Sequence, residues 1–234
     1  MGFAAPSPLT EETDAIGLRS VLFPRLRAER ARTASLDAHW QRGALEVSGT
    51  ISRSRVTRPV RLDSIPGDPQ GRLEFVNAGG PTDVWAGELF AVYERAPVVL
   101  TAFYGYLHST EEDPAGGRRE SALIPRHSLG VDIAWEAPQA GTWIALEAFY
   151  TGRQALDDDP ARSRSVPYLS AELLAAQRVS GIWFFATLDN IGDYRITRSS
   201  TLLLATPAAG GRRTITPWGP VEGRTFALGA MAKF

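Results

Sequence analysis

The feature that most limits what this chain can fold into is a period of two in its hydrophobicity. Segments rich in aromatic and β-branched residues alternate apolar with polar side chains, which sends the two kinds to opposite faces of an extended strand. The pattern predicts nine strands, at roughly Leu26–Trp40, Ala44–Val56, Val84–Glu94, Val98–Ser109, His127–Glu136, Thr142–Gln154, Tyr168–Val179, Ile182–Asn190 and Gly223–Phe234. Only short pieces such as Ala171–Arg178 could pass for helix. In the last segment Phe226, Leu228, Ala230, Ala232 and Phe234 share one face, with Thr225, Gly229 and Lys233 on the other. The sixth opposes Ile144, Leu146, Ala148 and Tyr150 to Glu147, Thr151 and Arg153. The fifth opposes Leu129, Val131, Ile133 and Trp135 to Asp132 and Glu136, and the third opposes Trp85, Leu89, Ala91 and Tyr93 to Glu88 and Glu94.

The connections alternate in length. Short ones, Gln41-Arg42-Gly43, Ala96-Pro97, Gln139-Ala140-Gly141 and Ser180-Gly181, carry hairpin-turn residues. Between them run long segments dense in Gly, Pro and charge: RLDSIPGDPQGRLEFVNAGG, EEDPAGGRRESALIPR, LDDDPARSRSVP and IGDYRITRSSTLLLATPAAGGRRTITPWGP. Strict alternation puts every short turn on one rim, the arrangement of outer-membrane barrels, whose short turns face the periplasm and whose long loops face outward. The fold class expected is all-β, an antiparallel up-and-down transmembrane barrel segment. A soluble β-sandwich with one wet face predicts the same alternation and stays open as a binding module for carbohydrate or protein; an outer-membrane enzyme or passive pore is a third reading.

No run of 18 apolar residues occurs, and the mean hydropathy of −0.14 is that of a soluble chain, but membrane strands of about 9–11 alternating residues escape both tests. The 25 Lys and Arg against 26 Asp and Glu give no basic footprint for nucleic acid, and the absence of Cys removes disulfides, thiolate zinc sites and thiol catalysis. Aromatic placement favours the membrane. Trp40, Trp135, Trp143, Trp183 and Phe234 all fall beside short turns or at the chain end, on one rim, as an aromatic girdle at headgroup level would.

The runs IPRHSLGVDIAWEAPQAGTWIALEAFYTGRQALDDD, PYLSAELLAAQRVSGIWFFATLDNIGDYR and PWGPVEGRTFALGAMAKF resemble the end of the barrel of a TonB-dependent outer-membrane receptor. Upstream, GFAAPSPLTEE is similar to an extracellular loop of that family and LRAERARTASLDAHWQRGALEVSGTISRSRV to the hairpin after it, so the resemblance spans nearly the whole chain. It implies a 22-stranded barrel around an N-terminal plug, of which residues 1–234 would be a single incomplete domain holding about the last nine strands. The plug, the N-terminal box through which TonB acts and a secretion signal are not seen in the sequence. An odd strand number does not close a bacterial single-chain barrel, so the piece is expected to be incomplete and to aggregate alone.

The function the resemblance implies is uptake of a nutrient complex, with a ferric siderophore first among the ligands, and no enzymatic activity and no cofactor. Its expected partners are outer-membrane lipid, the plug and remaining strands, TonB and the barrel-assembly machinery, which would read Phe234 as an assembly signal. Glu88, Asp132, Glu147, Arg153, Glu172, Arg178 and Asp189 would line the lumen against plug or substrate. Arg118, Arg119, Arg162, Arg164, Arg212 and Arg213, in the long loops, would attract an anionic chelate by field. The acidic runs Asp157-Asp158-Asp159 and Glu111-Glu112-Asp113 lack the spacing of a calcium loop and are read as solvated loop. His39, His108 and His127 are too dispersed for a metal site, and Ser128 beside His127 points to the opposite face of its strand.

Overall fold

The computed structural model describes residues 2–4, 21–22, 25–65, 67–68, 72–157, 159–206 and 213–232. Nine long strands form one antiparallel wall: β3 (Glu29–Arg42), β4 (Leu45–Thr57), β7 (Thr82–Arg95), β8 (Val98–Glu112), β10 (His127–Ala137), β11 (Thr142–Thr151), β12 (Tyr168–Val179), β13 (Ile182–Asp189) and β14 (Thr225–Ala232). Each pairs with the next in that order. A short β1 (Gly2–Ala4) pairs with the start of β3, and β9 (Arg118–Glu120) with the end of β8. β2 (Val21–Leu22), β6 (Leu73–Asn77) and β5 (Val60–Ser64) make a separate three-stranded sheet, which gives the connection between β4 and β7 regular structure.

All nine strands read from the alternation are present, with shifted ends. The sixth stops at Thr151 rather than Gln154; Gly152 adds one last rung in the same register, its N–H donating to the His127 carbonyl at 2.8 Å. A Cβ there would lie 2.6 Å from that same oxygen, so the approach requires glycine. The short connections are 43–44, 96–97, 138–141 and 180–181. Ser180 and Gly181 both have positive φ, 51° and 85°, the requirement of a type I′ hairpin turn whose twist matches the strands it joins.

Directly paired residues project to the same side, so register carries each face from strand to strand. One side holds the continuous row Leu45, Tyr93, Leu100, Ile133, Leu146, Leu173, Leu188 and Phe226 across eight strands. No second layer covers it among the described residues: Leu228 is 71 % exposed, Leu36 68 %, Phe226 65 % and Ile51 63 %. A sandwich would bury that face, so the soluble alternative is not the fold. Among the described residues the wall ends in two edges, along β14 and along β3 beyond the three residues that β1 covers.

The compact apolar core among the described residues lies in the loops. Leu156, Ile196, Ile215 and Trp218 bury one another against Tyr168, Tyr194, Leu202 and Leu204. The described parts of the two loops, 152–157, 159–167, 190–206 and 213–224, therefore form a packed hood over the start of β12.

Candidate functional site

The outward apolar side is bounded by aromatic rings at both ends of the strands. Trp40, Tyr93 and Trp135 stand near the short turns on this side. Trp85, Tyr106, His127 and Tyr150 stand toward the long loops, and the Tyr104 hydroxyl, from the middle of β8, reaches within 2.8 Å of His127 Nδ1. This second belt was not singled out in the sequence, although its residues share the parity of their apolar neighbours. Trp143 and Trp183 also lie at the short-turn rim but project to the inward side. Trp143 pairs with Glu136, and Trp183 with Arg178 and Met231. The signal was present: Trp143 alternates with Ile144, so parity groups it with Glu147 rather than with the apolar face.

The inward side combines a slanting row of carboxylates with two aromatic zones. Asp132 pairs with Glu147 and Glu147 with Glu172; Asp189 stands beside Glu172 and accepts from Thr225 Oγ1 at 2.7 Å. Like charges directly opposite one another destabilise a sheet, so the row is a costly feature of this side of the wall. Glu88 is apart from the row, paired with Thr50, whose hydroxyl donates to Asp37 at 2.7 Å. Arg153 lies beyond the end of β11 and not on a strand. Phe103 and Phe149 meet with ring centroids 5.5 Å apart on the loop side of the row.

Toward the short turns, Trp143, Leu174, Trp183, Phe185 and Met231 line a shallow concavity of about 560 Å³. There the Arg178 guanidinium sits 5.9 Å from the Trp183 ring centroid. A smaller niche of about 120 Å³ lies among Glu147, Phe149, Ser170, Glu172 and Asn190. Gly229 lets the Phe185 ring cross the neighbouring strand, since a Cβ would lie 2.2 Å from it.

The loop arginines are mostly engaged. Arg118 donates to Asp83 at 3.1 Å and to the Pro81 and Thr110 carbonyls at 2.8 Å each. Arg119 bridges Glu111 at 2.8 Å and Asp157 at 2.9 Å, while Arg164 reaches Glu120 at 3.1 Å. Arg162 lies 3.9 Å from Asp159 and donates to the Ser199 carbonyl. Arg213 is exposed, and Arg212, Asp158 and Phe234 lie outside the described residues. The acidic runs expected to be solvated are held by these arginines, by Arg61 and by the Gly80 N–H, which donates to Glu112. Charged loops brought close by folding exchange water for each other, which linear sequence does not reveal.

Burial pushes the Glu120 carboxyl up, but the Arg164 hydrogen bond and the charges of Arg126, Arg164 and His108 outweigh it and hold the group below its ordinary range. The Arg224 backbone N–H and the Arg195 side chain do the same for Asp193. Burial raises the Tyr194 hydroxyl. No group of three or more His, Asp or Glu among the described residues is arranged to hold a metal ion. His127 is outward and Ser128 inward, so the pair forms no catalytic arrangement.

No family model matches the chain, and no curated protein matches it. Solved structures do. The ferric-catecholate import receptor Fiu from E. coli K12 aligns with 88 % of this chain and 28 % of its own, at 18 % identity and a TM-score of 0.60. The FrpB iron transporter from Neisseria meningitidis aligns with 99 % of this chain and 35 % of its own, at 15 % identity and a TM-score of 0.67. The ferric enterobactin receptor PfeA from Pseudomonas aeruginosa, as its R480A mutant with enterobactin, aligns with 89 % of this chain and 32 % of its own, at 18 % identity and a TM-score of 0.68. These neighbours are transport receptors, and the chain has the fold of part of a TonB-dependent receptor barrel. It spans about a third of the length of the structures it matches.

Proposed function

We propose that this chain is the C-terminal stretch of barrel wall in a bacterial outer-membrane receptor for TonB-dependent uptake of a nutrient complex, with a ferric siderophore as the ligand class. The observation that carries the reading is the uncovered apolar side, framed by aromatic residues at both strand ends. In water so much exposed Leu, Ile and Phe would drive aggregation; in a bilayer it is the solvated state. Neighbours named for ferric-catecholate, iron and ferric enterobactin transport support the ligand class.

Two open edges facing hydrocarbon would each leave unpaired N–H and C=O groups at several kcal/mol apiece, so the wall functions when further strands close it. In this reading the inward residues Glu88, Asp132, Glu147, Glu172, Arg178 and Asp189, with Arg153 at the rim, face a plug domain supplied by the rest of the receptor. Trp40 and Trp135 anchor the outward face at headgroup level, while Trp143 and Trp183 face the plug side. Arg118, Arg119, Arg162 and Arg164 hold the loops together, leaving electrostatic capture of an anionic chelate to Arg213 and Arg212. Phe234 serves the barrel-assembly machinery.

Fractionation of the source bacterium grown under iron limitation, with uptake of radiolabelled ferric siderophore in parallel, tests this reading. The protein is expected in the outer membrane, with uptake lost on disruption of its gene and membrane levels reduced on deletion of Phe234. Recovery from the soluble fraction would refute the assignment.

A further inference from the structure

On the outward side of β3 and β4 the pattern changes abruptly. Leu36 and Ala34 are followed toward the long loops by Arg32 and Arg30, and Ile51 by Arg53 and Arg55. Arg32 stands directly opposite Arg55, Ala34 opposite Arg53 and Arg53 opposite Trp85, over whose ring its guanidinium lies 4.8 Å from the centroid. All four arginines are exposed. The carboxylates nearby are already engaged: Asp83 by Arg118 at 3.1 Å and Arg55 at 3.5 Å, Glu120 by Arg126 and Arg164, and Glu112 by Arg61 at 3.9 Å. Among the described residues no carboxylate lies within ion-pair distance of Arg30, Arg32 or Arg53. Two cations opposed across a strand pair repel, and cations on a hydrocarbon-facing surface are tolerated only where anionic headgroups begin.

We propose that Arg30, Arg32, Arg53 and Arg55 form a binding site for the phosphate groups of membrane lipid headgroups, beside the Trp85 level on the outward face. The site rests on the barrel-wall reading. Its placement is what a lipid needs: Leu36 and Ile51 meet the acyl chains, Trp85 marks the polar boundary, and the guanidiniums above it offer forked donors matched to phosphate oxygens. The charge is complementary to an anionic lipid surface: among the described residues Arg55 shares Asp83 with Arg118, and Arg30, Arg32 and Arg53 pair with no carboxylate. The bound phosphate relieves the repulsion between Arg32 and Arg55, so lipid holds the β3–β4 hairpin together.

The test uses the whole receptor purified from outer membranes in a neutral detergent. It is titrated with phosphatidylglycerol, phosphatidylcholine or inorganic phosphate, and bound molecules are counted by native mass spectrometry. With about 1 kcal/mol for each Arg near an anionic surface, equal to about fivefold in binding, R32Q/R55Q is expected to need roughly thirtyfold more phosphatidylglycerol than wild type, and R32K/R55K to retain most of the binding. Equal phosphatidylglycerol retention in R32Q/R55Q, equal uptake of phosphatidylcholine, or displacement of lipid by inorganic phosphate at matched concentration would overturn the site. If R32Q/R55Q does not insert, the same titration on R30Q/R32Q decides. A receptor missing from the outer membrane refutes the wall reading itself, whereas unchanged lipid retention in an inserted variant refutes only the lipid site.

Discussion

Leu89 offers the sharpest test of which side of this wall meets hydrocarbon. It is 51 % exposed on the outward side of β7, four residues from Trp85 and four from Tyr93. At about 3.3 Å per residue it is about 13 Å along the strand from each ring, or about 10 Å in depth at a tilt near 40°. The two aromatic levels are then about 20 Å apart, close to the roughly 25 Å apolar band of outer-membrane barrels. Leu89→Arg places a guanidinium at the middle of that band, where the cost is about 2–4 kcal/mol, or roughly 30- to 700-fold in the folding equilibrium. The neighbouring Glu88→Arg, on the inward side, is expected to change stability by no more than about 1 kcal/mol. The assay is urea titration of the whole receptor folded into bilayers, with folded and unfolded forms separated by electrophoresis without boiling. On a watery surface Leu89→Arg would stay within about 0.5 kcal/mol. A cost no greater than that of Glu88→Arg would refute the assignment of faces.

Three further outcomes follow from the loops and the inward side. Trp218, 3 % exposed among Leu156, Ile196 and Ile215, is expected to cost the hood about 3–5 kcal/mol as Trp218→Ala, read as faster proteolysis within 190–224 while the wall keeps its electrophoretic shift; unchanged cleavage would contradict a packed hood. Asp193 and Glu120 are held below their ordinary values, so their stabilisation is present above the ordinary carboxylate range and is lost as pH falls through the lowered values. Protection of the same segment should therefore match at pH 7 and 5 and fall below about pH 4, and equal protection at pH 3 would exclude the ion pairs as its cause. Gly229→Val, whose Cβ would sit 2.2 Å from the Phe185 ring, is expected to destabilise the β13–β14 pair by about 1–3 kcal/mol, and equal urea midpoints for the variant and wild type would show that the ring moves aside freely.

The strands, their order and the identity of the two faces were legible in the sequence because they depend on a local repeat. Alternate side chains leave an extended backbone in opposite directions whatever the chain does elsewhere. The same parity placed Trp143 with Glu147 and Arg53 with Ile51, although rim position was given precedence for Trp143. Tertiary structure alone decided what stands opposite what. That Asp132, Glu147, Glu172 and Asp189 form one row, and that Arg32 meets Arg55, depends on strand register set by residues far apart in the chain. The hood was invisible for a related reason. Leu156, Ile196, Ile215 and Trp218 come from separated Gly- and Pro-containing segments with no period of their own, and they become a core only when the ends of β11, β12, β13 and β14 are brought side by side. Loop ion pairs such as Arg119 with Asp157 likewise exist only after that closure, since the Coulomb attraction acts through space and not along the chain.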